Sequence, residues 1–366
     1  MTRLPALDHL RQYAVARSLF RPTTLARAIA RLGFVQADPI RAPARAQDLT
    51  LRHRVTDYRA GDLERRYARL DIEEDFFVNY GFVPRGTQAL FHPRAARVKW
   101  SKARMTKALA VLEFVRARGV VHPREVDTEF SHGKVTNWFG GSSNASTQLL
   151  DGMHYRGLLR IAKREGGIRM YAAREQCAAP SDIPATMDAL VDVIVQKYAP
   201  LPERSLRGLI GRLMFAVPQW SDARRAAFQR AAARLPSATV DGTRWYWPEG
   251  ENPRSIRHRA GDVLRFLAPF DPVVWDRERF ERFWGWAYRF EAYTPAPKRV
   301  RGYYALPLLW RDQVIGWGNV SVRDGALDAD VGYVSGRAPR ESEFAIALED
   351  ELERLRCFLA LQATTE

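Results

Sequence analysis

The sequence predicts an α+β protein, with tandem winged-helix units followed by a small antiparallel β-barrel or sheet domain and a C-terminal helix. Three observations predict it. Apolar residues recur at helical spacing in short segments broken by glycine and proline. One such group closes in a glycine-centred hairpin, and two-residue turns separate strand-like runs toward the C-terminus. The expected divisions are residues 1–98, 99–178, 186–258 and 262–366.

The first helix runs over Leu7–Phe20, with Leu10, Val15 and Leu19 on its apolar face. Pro22-Thr23-Thr24 restarts a helix whose apolar positions are Leu25, Ile29 and Leu32, and Gly33 is placed to cap its C-terminus. Extended chain follows over Phe34–Pro39. This opening carries the Gln-x-Asp segment and defines the first winged-helix unit. A second unit has helices at Leu109–Arg118, after His122-Pro123 and near Thr147–His154, and its wing is Leu158–Lys163, Gly166-Gly167 and Ile168–Tyr171. Ala179–Pro184 reads as a linker. The third unit fills Met187 to about Arg234, includes the basic helix Ala223–Arg230, and is followed by a strand at Thr243–Trp247. Beyond Asp262, runs at Tyr303–Trp310, Gln313–Val322 and Ala326–Val334 form a meander around Arg311-Asp312 and Asp324-Gly325. Phe344, Leu348, Leu352, Leu355 and Leu359 define one face of the last helix, with acidic residues opposite.

Among 366 residues, Lys and Arg number 57 against 42 Asp and Glu, a formal charge of +15 that favours a polyanionic partner. Nucleic acid is favoured over a membrane surface, because no apolar run reaches spanning length and no lipidation motif is present. The N-terminus has no secretory pattern, so a cytoplasmic protein is expected, associated with the nucleoid when bound to DNA; a monomer is the expected state. Cys177 and Cys357 are too few for a disulfide framework and read as small core residues. Seven histidines show no metal-type spacing, so no metal or other cofactor is expected. Carboxylates, amides and hydroxyls must carry any chemistry. From Arg85 to Arg118, nine Lys or Arg accompany one acidic residue, Glu113; Lys99, Lys102 and Arg104 in this run are candidate phosphate contacts, against the alternative of a solvated helix face.

Two stretches carry a distinctive pattern. The longer is Leu267-Ala268-Pro269-Phe270-Asp271-Pro272-Val273-Val274-Trp275-Asp276-Arg277, continuing through Tyr288–Arg299 to Gly302–Leu309. The other, near the N-terminus, is Gln36-x-Asp38-x-Ile40, Ala44-Arg45, Leu49, Leu51, Arg54 and Tyr58. In residues and spacing both resemble the winged-helix DNA glycosylase family of the YcaQ/AlkZ type, which removes bulky alkylpurines and unhooks interstrand crosslinks. By resemblance, Gln36 and Asp38 fall on its catalytic Gln-x-Asp or Gln-x-Gln motif. The chain departs from the family at Asp75-Phe76-Phe77-Val78-Asn79-Tyr80-Gly81-Phe82-Val83-Pro84, where a Tyr-Trp-Ala-His element would place a histidine. The substrate pocket is therefore expected to differ.

The resemblance implies hydrolysis of the N-glycosidic bond of N3- or N7-alkylated purines in duplex DNA. Such a base is already cationic and leaves neutral, so one carboxylate suffices to stabilise the oxocarbenium-like sugar and direct water. Asp38 fits that role, with Gln36 holding the water or Asp38 itself. Residues two apart in extended chain face one side, and Pro39 biases Asp38 toward that conformation. The competing structural role is a helix N-cap at Asp38 before Pro39. Arg45 and Arg54 are placed to contact phosphate or to brace the catalytic loop, with surface salt bridges as the alternative. Lys298, Arg299 and Arg301 follow two prolines and are expected on the DNA backbone. Glu291 and Asp271 read as structural hydrogen-bonding groups, and Tyr293, Trp245 and Trp247 as packed core aromatics, with stacking on or wedging into DNA as the alternative. No lysine adjoins the motif in sequence, so lyase activity is not expected. The rival from another class is a non-catalytic winged-helix regulator, which would prefer one DNA sequence.

Overall fold

A computed structural model describes residues 5–96, 98–131, 133–136, 142–175 and 178–361; Cys177 lies outside them. The chain forms two compact units, each discontinuous in sequence. One comprises Met1–Asp62, Val191–Ile210 and Phe228–Glu366, and the other Leu63–Leu190 and Gly211–Ala227.

In the first unit, helices Leu7–Ser18 and Leu25–Leu32 form as their apolar spacing requires, burying Leu10 and Val15 from one and Leu25, Ile29 and Leu32 from the other. Thr24 Oγ1 accepts the Arg27 N–H at the second helix's start, and Gly33 ends it at φ 65°. A side chain at Gly33 would be strained and would meet Val193 Cγ1 at 2.8 Å. The chain therefore turns sharply into the short strand Val35–Gln36.

The C-terminal part of this unit is an open four-stranded antiparallel sheet, in the order Leu264–Phe266, Leu306–Trp310, Gln313–Arg323 and Ala326–Tyr333. Both expected turns are present, and Asp324 and Gly325 take φ values of 49° and 81°, which match the strand twist of a two-residue hairpin. Strand Leu264–Phe266, too short to show alternation, was not foreseen. Val15, Leu267, Val273, Val274, Phe280, Tyr288, Leu309 and Val314 share one core, so the first helix, the sheet and the loop between them are packed as a block.

Helix Ser342–Leu359 covers the sheet, with Phe344 edge-on to Trp310 at 5.6 Å. Its buried stripe is Phe344, Ala347, Glu351, Leu355 and Phe358, which corrects the expected face: Leu348, Leu352 and Leu359 are only half-buried, and one acidic residue points inward. Glu351 is tolerated because it accepts the Phe266 N–H at 2.8 Å and pairs with Arg52 and Arg354. Cys357 is exposed, contrary to the core placement expected of it. Strands Leu201–Pro202, Ser237–Val240 and Thr243–Tyr246 complete a further small sheet in this unit.

The second unit holds helices Lys102–Arg118, Pro123–Phe130 and Ala145–Tyr155 and the hairpin Leu159–Glu165 with Ile168–Ala173. Its turn glycines, Gly166 and Gly167, sit at φ 56° and 88°. The first helix begins seven residues before the expected Leu109, where Ser101 accepts the Arg104 N–H and starts it. The segment that departs from the family is a second hairpin, Ile72–Phe76 with Tyr80–Pro84.

Candidate active site

The motif Gln36-Ala37-Asp38 lies in the first unit, and the structure supplies both of its residues with specific partners. Trp275 Nε1 donates to Gln36 Oε1 at 2.8 Å, so the acceptor end of the amide is occupied and the NH2 end is the one left to donate. The Asp38 N–H is held by Gln47 Oε1 at 3.2 Å, and Asp38 Oδ1 accepts the Ile40 N–H at 2.9 Å. That bond closes an Asx turn two residues long. Asp38 is therefore not a helix N-cap: the next helix, Ala46–Leu51, starts after Arg45. Among the described residues Asp38 has no ion-pair partner and no hydrogen bond to Oδ2. Burial raises its pKa above the ordinary aspartate value, with the Ile40 N–H acting the other way.

Trp275 is positioned in turn by Asp271 and Arg54. Asp271 accepts two guanidinium bonds from Arg54 at 2.7 and 2.9 Å and the Val273 N–H at 3.0 Å, while its carbonyl accepts the Trp275 N–H at 2.8 Å. Arg54 also donates to the carbonyls of Ser18 and Thr50 at 2.8 and 2.6 Å. Fully buried, Arg54 offers nothing to a phosphate, and its expected DNA contact is corrected to a brace between the N-terminal helices and the Trp275 loop. Arg45 is half-buried at the start of Ala46–Leu51.

Aromatic rings gather around Phe290, and two of them, Tyr293 and Tyr304, sense the charge of Asp38. Phe290 packs against Phe270 and Tyr304, each at 5.2 Å, and against Tyr293 at 5.9 Å. Burial first and the charge of Asp38 second push the Tyr304 phenol up in pKa, and its buried hydroxyl has no hydrogen-bond partner among the described residues. Tyr293 is 76% exposed, which overturns its reading as core, whereas Trp245 and Trp247 are buried as expected.

The basic loop after Pro297 is shaped by Glu291, whose Oε2 accepts the N–H groups of Val300, Arg301 and Gly302 at 3.0, 2.8 and 3.3 Å. Lys298 is exposed; Arg299 lies over Tyr303; Arg301 lies over Trp286 and Trp317 at 5.0 and 5.5 Å. In the second unit Lys99, Lys102 and Arg104 are all exposed, with Arg104 over Trp100 at 4.8 Å.

Sequence reasoning missed Lys197. It is far from the motif in the chain, yet its buried ammonium donates to the carbonyl of Phe34, two residues before Gln36. Burial and the Arg54 charge lower its pKa to about 7, with Asp271 opposing. No signal in the sequence could pair it with Phe34. The hairpin that lacks the family histidine also has unforeseen partners: Asp75 accepts from Gln88, His92 and Arg94 at 2.7, 2.8 and 2.9 Å, and His154 bonds the Glu74 carbonyl at 2.8 Å. Burial lowers the His92 pKa to about 4, so it is neutral near neutral pH.

No helix among the described residues is long and apolar enough to cross a membrane. In fold the chain is similar to the DNA glycosylase AlkZ of Streptomyces sahachiroi, with a TM-score of 0.63, 13% identity and 98% of each chain covered. The family model "DNA glycosylase AlkZ-like" matches residues 29–358, which include the motif, the Trp275 loop and the sheet, and the chain belongs to that family of DNA glycosylases.

Proposed function

We propose that this glycosylase acts as a monomer on N3- or N7-alkylated purines in duplex DNA, hydrolysing the N-glycosidic bond without lyase chemistry and without a cofactor. The observation that carries this reading is the polarity of the motif: Trp275 takes the acceptor of Gln36, and Asp38 Oδ2 has no hydrogen bond among the described residues. A water accepting from the Gln36 amide and donating to Asp38 has its oxygen directed at the sugar. As the C1′–N bond breaks, its electron pair leaves with the base, Asp38 stabilises the cationic sugar, water adds to C1′ and its proton passes to Asp38. Extrusion of the base costs a few kcal/mol, less for a damaged pair. Tyr293, the exposed aromatic on this side, is the proposed stacking group.

Lys298, Arg299 and Arg301, the half-buried Arg45 and, in the second unit, Lys99, Lys102 and Arg104 are the proposed phosphate contacts. The helices and glycine-turn hairpins of the two units are proposed as winged-helix units over residues 1–98, 99–178 and 186–258, with a β-rich domain over 262–366. Lys197 is not a lyase nucleophile in this scheme, because its ammonium is buried on the Phe34 carbonyl.

Gln36 is 5% and Asp38 8% exposed, a burial that favours the regulator. Membership of a glycosylase family favours the enzyme over a regulator nonetheless. The test is base release from duplexes carrying N7-alkylguanine or N3-alkyladenine, with a crosslinked duplex as a third substrate. Free base without strand cleavage is expected from the alkylpurine duplexes. No release, together with tight binding to one undamaged sequence, would establish the regulator instead.

A further inference from the structure

A second site is built into the first unit, away from the motif. A cavity of about 590 Å³ is walled by Arg52, Arg59, Arg265 and Arg354, with His53 and Phe358 beside them; neither Gln36 nor Asp38 lines it. Its volume lies in the range of small-ligand pockets. Internal compensation of the four guanidinium charges is incomplete. Glu351, fully buried, accepts from Arg52 and from Arg354 Nε, and Arg52 and Arg354 spend further bonds on the carbonyls of Phe266 and Leu264. Arg59 donates to the Cys357 carbonyl. Arg265, on strand Leu264–Phe266, makes no side-chain hydrogen bond or ion pair among the described residues. Arg52 Nε is buried and has no hydrogen-bond partner among the described residues, on a side chain only 4% exposed.

Two carboxylates also line the cavity, Asp57 and Glu353, and Glu353 is already paired with Arg356 at 3.1 Å. His53 reports the resulting field: burial first, then the charges of Arg52, Arg265 and Arg54, hold its pKa well below the ordinary histidine value. An uncompensated guanidinium group facing a pocket favours a tetrahedral oxyanion, which takes paired N–H bonds from planar forks. Tyr58 and Phe358, stacked at 6.3 Å, supply an aromatic wall beside the charges.

We propose that this cavity binds a phosphate group, with Arg265 as its principal ligand and the aromatic wall accommodating the moiety that carries the phosphate, as in a mononucleotide. Titration calorimetry of the full chain with inorganic phosphate and with deoxyadenosine monophosphate, against chloride at matched ionic strength, tests it. Wild type is expected to bind both probes. Arg265→Ala is expected to weaken binding at least tenfold, and Arg265→Lys less; if Arg265→Ala does not fold, Arg59→Ala takes its place with the same expectation.

Affinity for an undamaged duplex, measured on the same variants, separates the sources of the phosphate. Unchanged duplex affinity identifies a free phosphate ester. A loss with a shallower salt dependence identifies a DNA phosphate. Absence of phosphate-specific binding in wild type, or equal binding by Arg265→Ala and Arg59→Ala, overturns the proposal. Base excision is unaffected in either case when the ligand is a free ester, so the outcome is independent of the chemistry assigned to Asp38.

Discussion

At the scale of single residues, the site depends on groups that the fold holds under constraint. Asp38 is buried without an ion-pair partner among the described residues, and its ionised form is disfavoured. A carboxyl whose folded pKa is raised contributes stability that is complete below the unfolded pKa and lost as pH rises through the folded one. Asp38→Asn is therefore expected to be as stable as wild type at neutral pH, or more so, by thermal unfolding. A drop in Tm of many degrees would mean that Asp38 is a structural carboxylate. Trp275→Phe removes the donor to Gln36 while retaining aromatic packing, and base excision is expected to slow about tenfold, the effect of roughly 1.4 kcal/mol. Single-turnover kinetics check it, with an unchanged rate showing that the Gln36 orientation is unimportant. Lys197 works in the opposite sense to Asp38. With its folded pKa lowered to about 7, stability is expected to rise with pH from about 7 to the ordinary lysine range of about 10.4, and Lys197→Met should flatten that rise.

At the scale of elements, the Arg54–Asp271 pair links the N-terminal helices to the Trp275 loop. Removing one partner of a fully buried pair costs about 3–5 kcal/mol. Arg54→Ala is expected to lower the unfolding free energy from denaturant titration by that amount, and a loss under 1 kcal/mol would show that the loop is held by other contacts. Lys298 differs from Arg54 in being exposed and without a side-chain partner among the described residues. Lys298→Ala is expected to leave stability unchanged and to reduce the salt slope of duplex binding by about 1. Most elements were legible because their signals are local: Thr24 and Gly33 bracket a helix, and Asp324-Gly325 makes a turn. Glu351 and strand Leu264–Phe266 were not, since a buried carboxylate and a three-residue strand are explained only by distant partners. For the same reason the sequence left Arg54 open between a phosphate contact and a brace. Its counter-ion is 217 positions away.

At the scale of the whole molecule, the chain doubles back, so each compact unit is assembled from separate segments. Consecutive apolar periodicity cannot reveal that return, because it reports a segment's own exposed and buried faces rather than which distant segment covers them. The site shows the same limit. Gln36 and Asp38 stand out as candidates by their spacing within a long family pattern, and Asp271 as a structural hydrogen-bonding group, whereas Trp275, Tyr304 and Lys197 acquire their partners only through folding. The central claim is that Asp38, as an ionised carboxylate, drives base release. It is tested most directly by the single-turnover rate of alkylpurine excision as a function of pH, corrected for uncatalysed depurination, in wild type and Asp38→Asn. The wild-type rate should fall at acidic pH with an apparent pKa above the ordinary aspartate value of about 3.9. Asp38→Asn should be slower by about 10²–10³ near neutral pH and lack that limb. An Asp38→Asn protein with the wild-type rate and the same pH limb would contradict the account.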